Sequence, residues 1–223
     1  MSVLPSEMVA ILLSIAIAST APSVYPLTST AGIEQVGSAT LTPAAYRGKR
    51  AVLMNEELDP NFGDLGIIKG ADFHNGTIDF DVAGLLTKNA PLGARSFVGI
   101  AFHVSDDNRK FENFYLRMTN GRAADQEQRN HAVQYSSIPT YTWDVLRKKR
   151  PSKYEAYTDL DLGAWTHVKV HVYGTEAQLF VGNVTQPTLI VHDLFLGDTH
   201  GKVALWVAGY TRAYFSNLKI QAS

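Results

Sequence analysis

The chain has no cysteine, which excludes a disulfide scaffold, thiolate zinc sites, iron–sulfur clusters and a cysteine nucleophile. The compartment stays open. An excess of one charge is missing as well: 20 Lys and Arg stand against 21 Asp and Glu, a formal net charge of -1. Without a global field to hold a nucleic-acid backbone, nucleic acid is not an expected partner. Long hydrophobic runs are scarce. The one conspicuous apolar stretch, residues 8–18, has eleven residues, too few for a bilayer core that needs about 20, so no membrane span is expected. Convincing helical periodicity, repeats and linkers are also lacking, and the 223 residues read as one domain. What is present is core material: 45% apolar and 10% aromatic residues can bury a substantial interior.

The 8–18 run (MVAILLSIAIA) suits the apolar centre of a secretory signal, with small residues at Ala16, Ala18, Ser19 and Ala21 offering cleavage after Ala18 or Ala21. No Lys or Arg precedes it, and a buried strand or helix is the competing reading. We read 1–21 as a signal peptide, the Pro- and Ser/Thr-rich 22–31 as a flexible lead-in, and 32–223 as the folded domain, secreted or periplasmic. Two glycosylation triplets, Asn75-Gly76-Thr77 and Asn183-Val184-Thr185, are of a kind common by chance.

The hydrophobic period is two almost throughout. Val168, Val170 and Val172 alternate with His167, Lys169 and His171, and Ile78, Phe80 and Val82 alternate with Thr77, Asp79 and Asp81. Similar runs at 51–55, 97–104, 114–118, 177–181, 189–192, 203–207 and 214–220 predict nine or more strands divided by turn residues. The 97–104 run is apolar or small on both faces, as a central strand would be. One short helix is expected near 144–147. Two stacked antiparallel sheets follow, an all-β jelly-roll sandwich, with Lys169, Lys219 and the charged segment near Lys148 as candidate guards of its edges.

Particular residues carry a resemblance. Gly76-Thr77-Ile78-Asp79-Phe80-Asp81-Val82 followed by Phe97-Val98-Gly99-Ile100-Ala101-Phe102 resembles the central strands of concanavalin A-like lectin/glucanase domains, the group that includes laminin-G-like modules. The block from Tyr115 through Arg129-Asn130-His131, Gln134-Tyr135 and Trp143 to Arg147 resembles a family of exported, largely uncharacterised bacterial jelly-roll proteins. Met118 stands where that family leads one to expect proline. The resemblance covers about 46–220 and implies a concanavalin A-like jelly roll with a carbohydrate-linked role. It implies no particular reaction.

Retaining glucanases of this fold need carboxylates about 5–5.5 Å apart on one strand face. The nearest candidate, Thr77-x-Asp79-x-Asp81, lacks one partner in either alignment, so the paired-glutamate motif is absent and these read as solvent-facing carboxylates. Carboxylates from several strands, Asp106, Asp107 or Glu112, leave the question of an enzyme open.

The 115–147 block concentrates planar donors and aromatic faces. Sugars suit this mixture, because hydroxyl pairs bond Arg, Asn and Gln while pyranose C–H faces pack on rings. The candidate ligand contacts are Tyr115, Arg117, Asn120, Arg129, Asn130, His131, Gln134, Tyr135 and Trp143. Arg117 is foremost, expected to project from its strand with Tyr115 beside it. The alternative is a loop folded over one sheet, its Arg and Asn serving its own carbonyls. His167 and His171 lie about 13 Å apart along a strand, too far to share an ion; no metal or cofactor is expected. The basic run 147–150 reads as a solvated loop, and Trp165 and Trp206 as core. The leading expectation is an exported carbohydrate-binding domain using one sheet face and a 119–143 loop. A glycan-acting hydrolase and a structural or protein-interaction module are the alternatives. The leading reading requires that sheet face to remain open.

Overall fold

Strands present side chains alternately to two faces, so a chain whose apolar residues recur at every second position hides them by stacking sheets. The computed structural model describes residues 21–58 and 61–223. The 8–18 run lies outside the described residues.

From the N-terminus come β1 (Ser23–Tyr25), β2 (Ile33–Val36), β3 (Thr40–Tyr46), β4 (Lys49–Glu56), β5 (Asp64–Phe73), β6 (Gly76–Leu86), β7 (Phe97–Val104) and β8 (Phe111–Arg117). They are followed by α1 (Gln126–Asn130), β9 (Val133–Ile138), α2 (Trp143–Lys149), β10 (Glu155–Ala156), β11 (Thr166–Tyr173), β12 (Glu176–Val181), β13 (Leu189–Val191), β14 (Gly201–Ala208) and β15 (Thr211–Ala222). One sheet runs β13-β12-β11-β6-β15-β4-β3, with β1 added to β15; the other runs β10-β9-β8-β7-β14-β5-β2. All pairings are antiparallel.

The alternation read from the sequence sets the core. Ile78, Phe80 and Val82 join Val168, Val170 and Val172 from one sheet, against Val98, Ile100, Phe102, Val203 and Leu205 from the other, all in one buried cluster. As expected, β7 is a central strand, and its outer side also packs: Ala101 joins Leu65, Ile67, Tyr115 and Trp206 in a second buried cluster on the sheet's outer face.

Several expectations are corrected. The 22–31 segment, read as a flexible lead-in, contains β1 and the buried Leu27. The cause is β15, which leaves β4 after Phe215 and so has a free edge at 218–220 for Ser23 to Tyr25. Lys169 and Lys219 guard no edge, because both lie on interior strands facing Asp79 across the ladder. The edges are kept short instead: β10, β13 and β2 have two, three and four residues, and the longer β3 carries Pro43. The basic run 147–150 is not a loop; Arg147, Lys148 and Lys149 form the last turn of α2, where cations suit the helix dipole. Trp165 is half-buried on the outer face of the eight-stranded sheet, donating to the Tyr46 carbonyl at 3.2 Å.

At the end of the sandwich where β4 meets β5, Glu56 and Asp64 are both buried and share the Ser38 hydroxyl at 2.8 and 3.0 Å. Burial, and then the hydrogen bond with Asp64, push the Glu56 carboxyl up to about 7. A group whose pKa is raised in the folded state binds its proton more tightly there. Its contribution is therefore fully present below pH 4.5 and lost as pH rises through about 7. Stability is expected to fall by about 1–3 kcal/mol across that window, and Glu56→Gln to flatten the dependence. Urea midpoints at pH 5 and pH 8 check this; an unchanged slope in the variant refutes it.

Candidate functional site

The outer face of the seven-stranded sheet is built in rows. The register places Leu65, Trp206, Gly99, Tyr115, Gln134 and Glu155 side by side across β5, β14, β7, β8, β9 and β10. Gly99 is needed in the middle: a Cβ there would meet the Phe114 carbonyl oxygen and lie 2.8 Å from Tyr115 Cα. The space lets Tyr115 lean against Trp206 (ring centroids 4.9 Å) and Phe97 (5.9 Å). Trp206 Nε1 in turn donates to the Phe62 carbonyl at 2.8 Å, tying the segment just before β5 across the face.

Next to this aromatic floor sits Arg117. The sequence reading has it projecting as a ligand contact, but it is 5% exposed and bonded inward. Its Nη1 donates to the His131 carbonyl (2.9 Å), and its Nη2 to Gln134 Oε1 (3.1 Å) and Tyr115 Oη (3.2 Å). Glu155 lies beneath, 3.4 Å from Arg117 Nη1 and doubly hydrogen-bonded by Arg147. His131 Nδ1 is 3.0 Å from Glu155 Oε2, within ion-pair range but outside hydrogen-bond geometry. One carboxylate thus anchors β8, α2 and the turn after α1. Asn120 Nδ2 adds a second bond to the His131 carbonyl at 3.1 Å.

The expected 119–143 loop is not one loop, since it contains α1 and β9. That strand corrects two further assignments. Gln134 is fully buried within the sheet and donates to the carbonyls of Tyr135 and Tyr154. Tyr135 faces the interior, where its hydroxyl donates to Glu112 at 2.7 Å, and burial raises the pKa of both groups. Neither is available to a ligand. Arg129 donates to the carbonyls of Ala123 and Ala124 and to Gln126, and Asn130 accepts from Gln126. These two hold α1 together.

The covering segments leave an opening. A trough of about 540 Å³ runs between α1 and α2, walled by Arg95, Phe97, Gln128, His131, Trp143 and Arg147. A second pocket of about 130 Å³ adjoins it, sharing Phe97 and Trp143 and floored by Tyr115 and Trp206. Trp143 is 47% exposed, and the Arg147 guanidinium lies 4.8 Å over its ring. Arg95 has no side-chain partner among the described residues, while its carbonyl is held by Thr119 N (3.2 Å) and Oγ1 (3.3 Å). Of the expected contacts, Tyr115, Arg117, Asn120, His131 and Trp143 border this opening. Arg95, Phe97, Gln128 and Phe62 were not foreseen. Phe97 was detectable in principle, as the residue opposite Arg117 in a β7–β8 hairpin.

Asp81, Glu112 and Asp107 are each committed to the protein's own groups. Burial pushes the Asp81 carboxyl up, yet hydrogen bonds from Lys49, Asn217 and His167 outweigh this and hold it below the usual range, unlike a general acid. Glu112 is fully buried and accepts from Leu196 N at 2.7 Å. Asp107 caps its own turn by accepting from Ser105 and Arg109.

No family model matches the sequence, and no curated protein does. Solved structures match in shape. A carbohydrate-binding module of the CBM66 type from Bacillus subtilis aligns with a TM-score of 0.59 at 13% identity, over 85% of this chain and 95% of that one. A Bacillus subtilis protein of unknown function with a galectin-like fold gives 0.60 at 11% identity, over 91% and 96%. Peanut lectin gives 0.55 at 10% identity, over 92% and 100%. At such identities the likeness establishes the fold, an all-β lectin-like jelly roll, and leaves function to the site's own residues.

Proposed function

We propose that the trough beside Phe97 and Trp143 binds carbohydrate. The observation that carries this reading is the half-exposed Trp143 indole at the junction of trough and pocket, with Arg95, Gln128 and His131 around it. A ring for the C–H face of a sugar and planar donors for its hydroxyl pairs is the combination a pyranose uses. Arg95, Arg117 and Arg147 face Asp125 and Glu127 in the trough, and the buried Glu155 paired with Arg117 and Arg147 offsets the remaining positive charge, which suits a neutral glycan. Lectins and a carbohydrate-binding module among the structural neighbours agree with the reading. A glycan array probed with the purified protein tests it: neutral oligosaccharides bind with little loss at high salt, whereas a silent array refutes it.

Within the lectin-like folds we place the chain with the concanavalin A-like, laminin-G-like jelly rolls, on the residues of β6, β7 and 115–147 that resemble them. The 8–18 run and the small residues after it support export to a secreted or periplasmic location. A mature protein beginning at Ser19 or Pro22 is the expected result of N-terminal sequencing; one retaining Met1 overturns it.

A further inference from the structure

The two compartments of the site differ in character, and the smaller one has a chemistry of its own. The trough is polar. The pocket of about 130 Å³ is walled by Phe62, Tyr115, Ile138, Trp206 and Ala208, and the hydroxyl of Ser136 opens into it. A dry cavity of about 150 Å³ admits benzene, so this one takes a substituent of a few heavy atoms and leaves the sugar ring in the trough. The charged group at its lining is Asp144, which repels a carboxylate or sulfate. A buried ammonium has apolar walls to desolvate it.

Opposite Ser136 in the β8–β9 register, and outside the lining of the pocket, stands Asn113. By alternation it shares the outer face with Phe111 and Tyr115. It is fully buried, and neither Oδ1 nor Nδ2 has a hydrogen-bond partner among the described residues. Both atoms are closed off from the pocket, so Ser136 is the polar group that this stretch of β8 and β9 presents to a ligand. A plain hydroxyl substituent would leave the aromatic wall uncovered, and an alkyl group would leave the Ser136 hydroxyl unanswered.

Resting on the carbohydrate reading above, we infer that this pocket selects sugars bearing an acetamido group. Its methyl covers Tyr115 and Trp206, while its amide exchanges a hydrogen bond with the Ser136 hydroxyl.

Matched ligands test this by calorimetry: chitotetraose against cellotetraose, N-acetylgalactosamine against galactose, and the deacetylated glucosamine tetramer. Burying a methyl and gaining one net hydrogen bond give the acetamido member an advantage of about tenfold. Ala208→Leu, which fills the pocket, is expected to bring chitotetraose down to the cellotetraose level. Ser136→Ala, a milder change, is expected to cost it several-fold. Equal or tighter binding of the hydroxyl or amine member overturns the inference and leaves the carbohydrate reading standing. Silence from both series and from a wider glycan array removes the carbohydrate reading, and the inference with it.

Discussion

Arg117→Ala is expected to destabilise the fold by about 3 kcal/mol, near the lower end of what breaking a buried charge pair costs. Both side chains are closed to solvent, at 6% and 3% exposure for Arg117 and Glu155, so solvent screening offers little relief. Removing the guanidinium leaves Gln134 Oε1 and Tyr115 Oη without this donor and the His131 carbonyl with Asn120 alone, and each unsatisfied buried group costs about 1–3 kcal/mol. Arg147 still faces Glu155, which keeps the loss from being larger. Arg117→Lys keeps the charge but not the planar fork that reaches several acceptors, so it is expected to recover only part of the loss. Urea unfolding followed by circular dichroism measures both variants. A shift under about 1 kcal/mol in Arg117→Ala would show that the network does not hold β8 to the turn after α1.

Trp143→Ala should do the opposite, leaving stability within about 0.5 kcal/mol and weakening glycan binding by tenfold or more. Trp143 begins α2 and is half exposed, whereas the helix is fixed to the body by Leu146, which is buried. Losing the indole therefore opens no core cavity. It removes the ring that trough and pocket share, together with its contact to Arg147. Affinity for the tightest glycan on the array, measured beside the unfolding midpoint, separates the two roles. Unchanged affinity in a folded Trp143→Ala protein would put the binding site elsewhere.

The contrast between these two residues shows where sequence reasoning reached and where it stopped. Both lie in the same block of donors and rings, and alternation correctly put Arg117 on the outer face with Tyr115. Exposure is a different matter, because an outer face is open only if nothing folds over it. Here α1, α2 and the segment around Phe62 fold over that face, so Arg117 serves the protein's own carbonyls and Trp143 meets solvent. Gln134 and Tyr135 were misplaced for a related reason. The 133–138 strand was taken as part of a loop, although Val133 and Tyr135 alternate with Gln134 and Ser136 as strand residues do.

What the sequence determined alone is the layered all-β body, since side chains on a strand alternate by local geometry and a period of two can be read without knowing any partner. It likewise set the polar character of the Asp79 and Asp81 face. Which residues meet at the trough was decided only by tertiary structure. Arg95, Phe97, Gln128 and Trp143 come from three segments, and Glu155 is brought under Arg117 by the β9–β10 pairing. Burial is a sum over distant neighbours, and no stretch of chain carries that sum within itself.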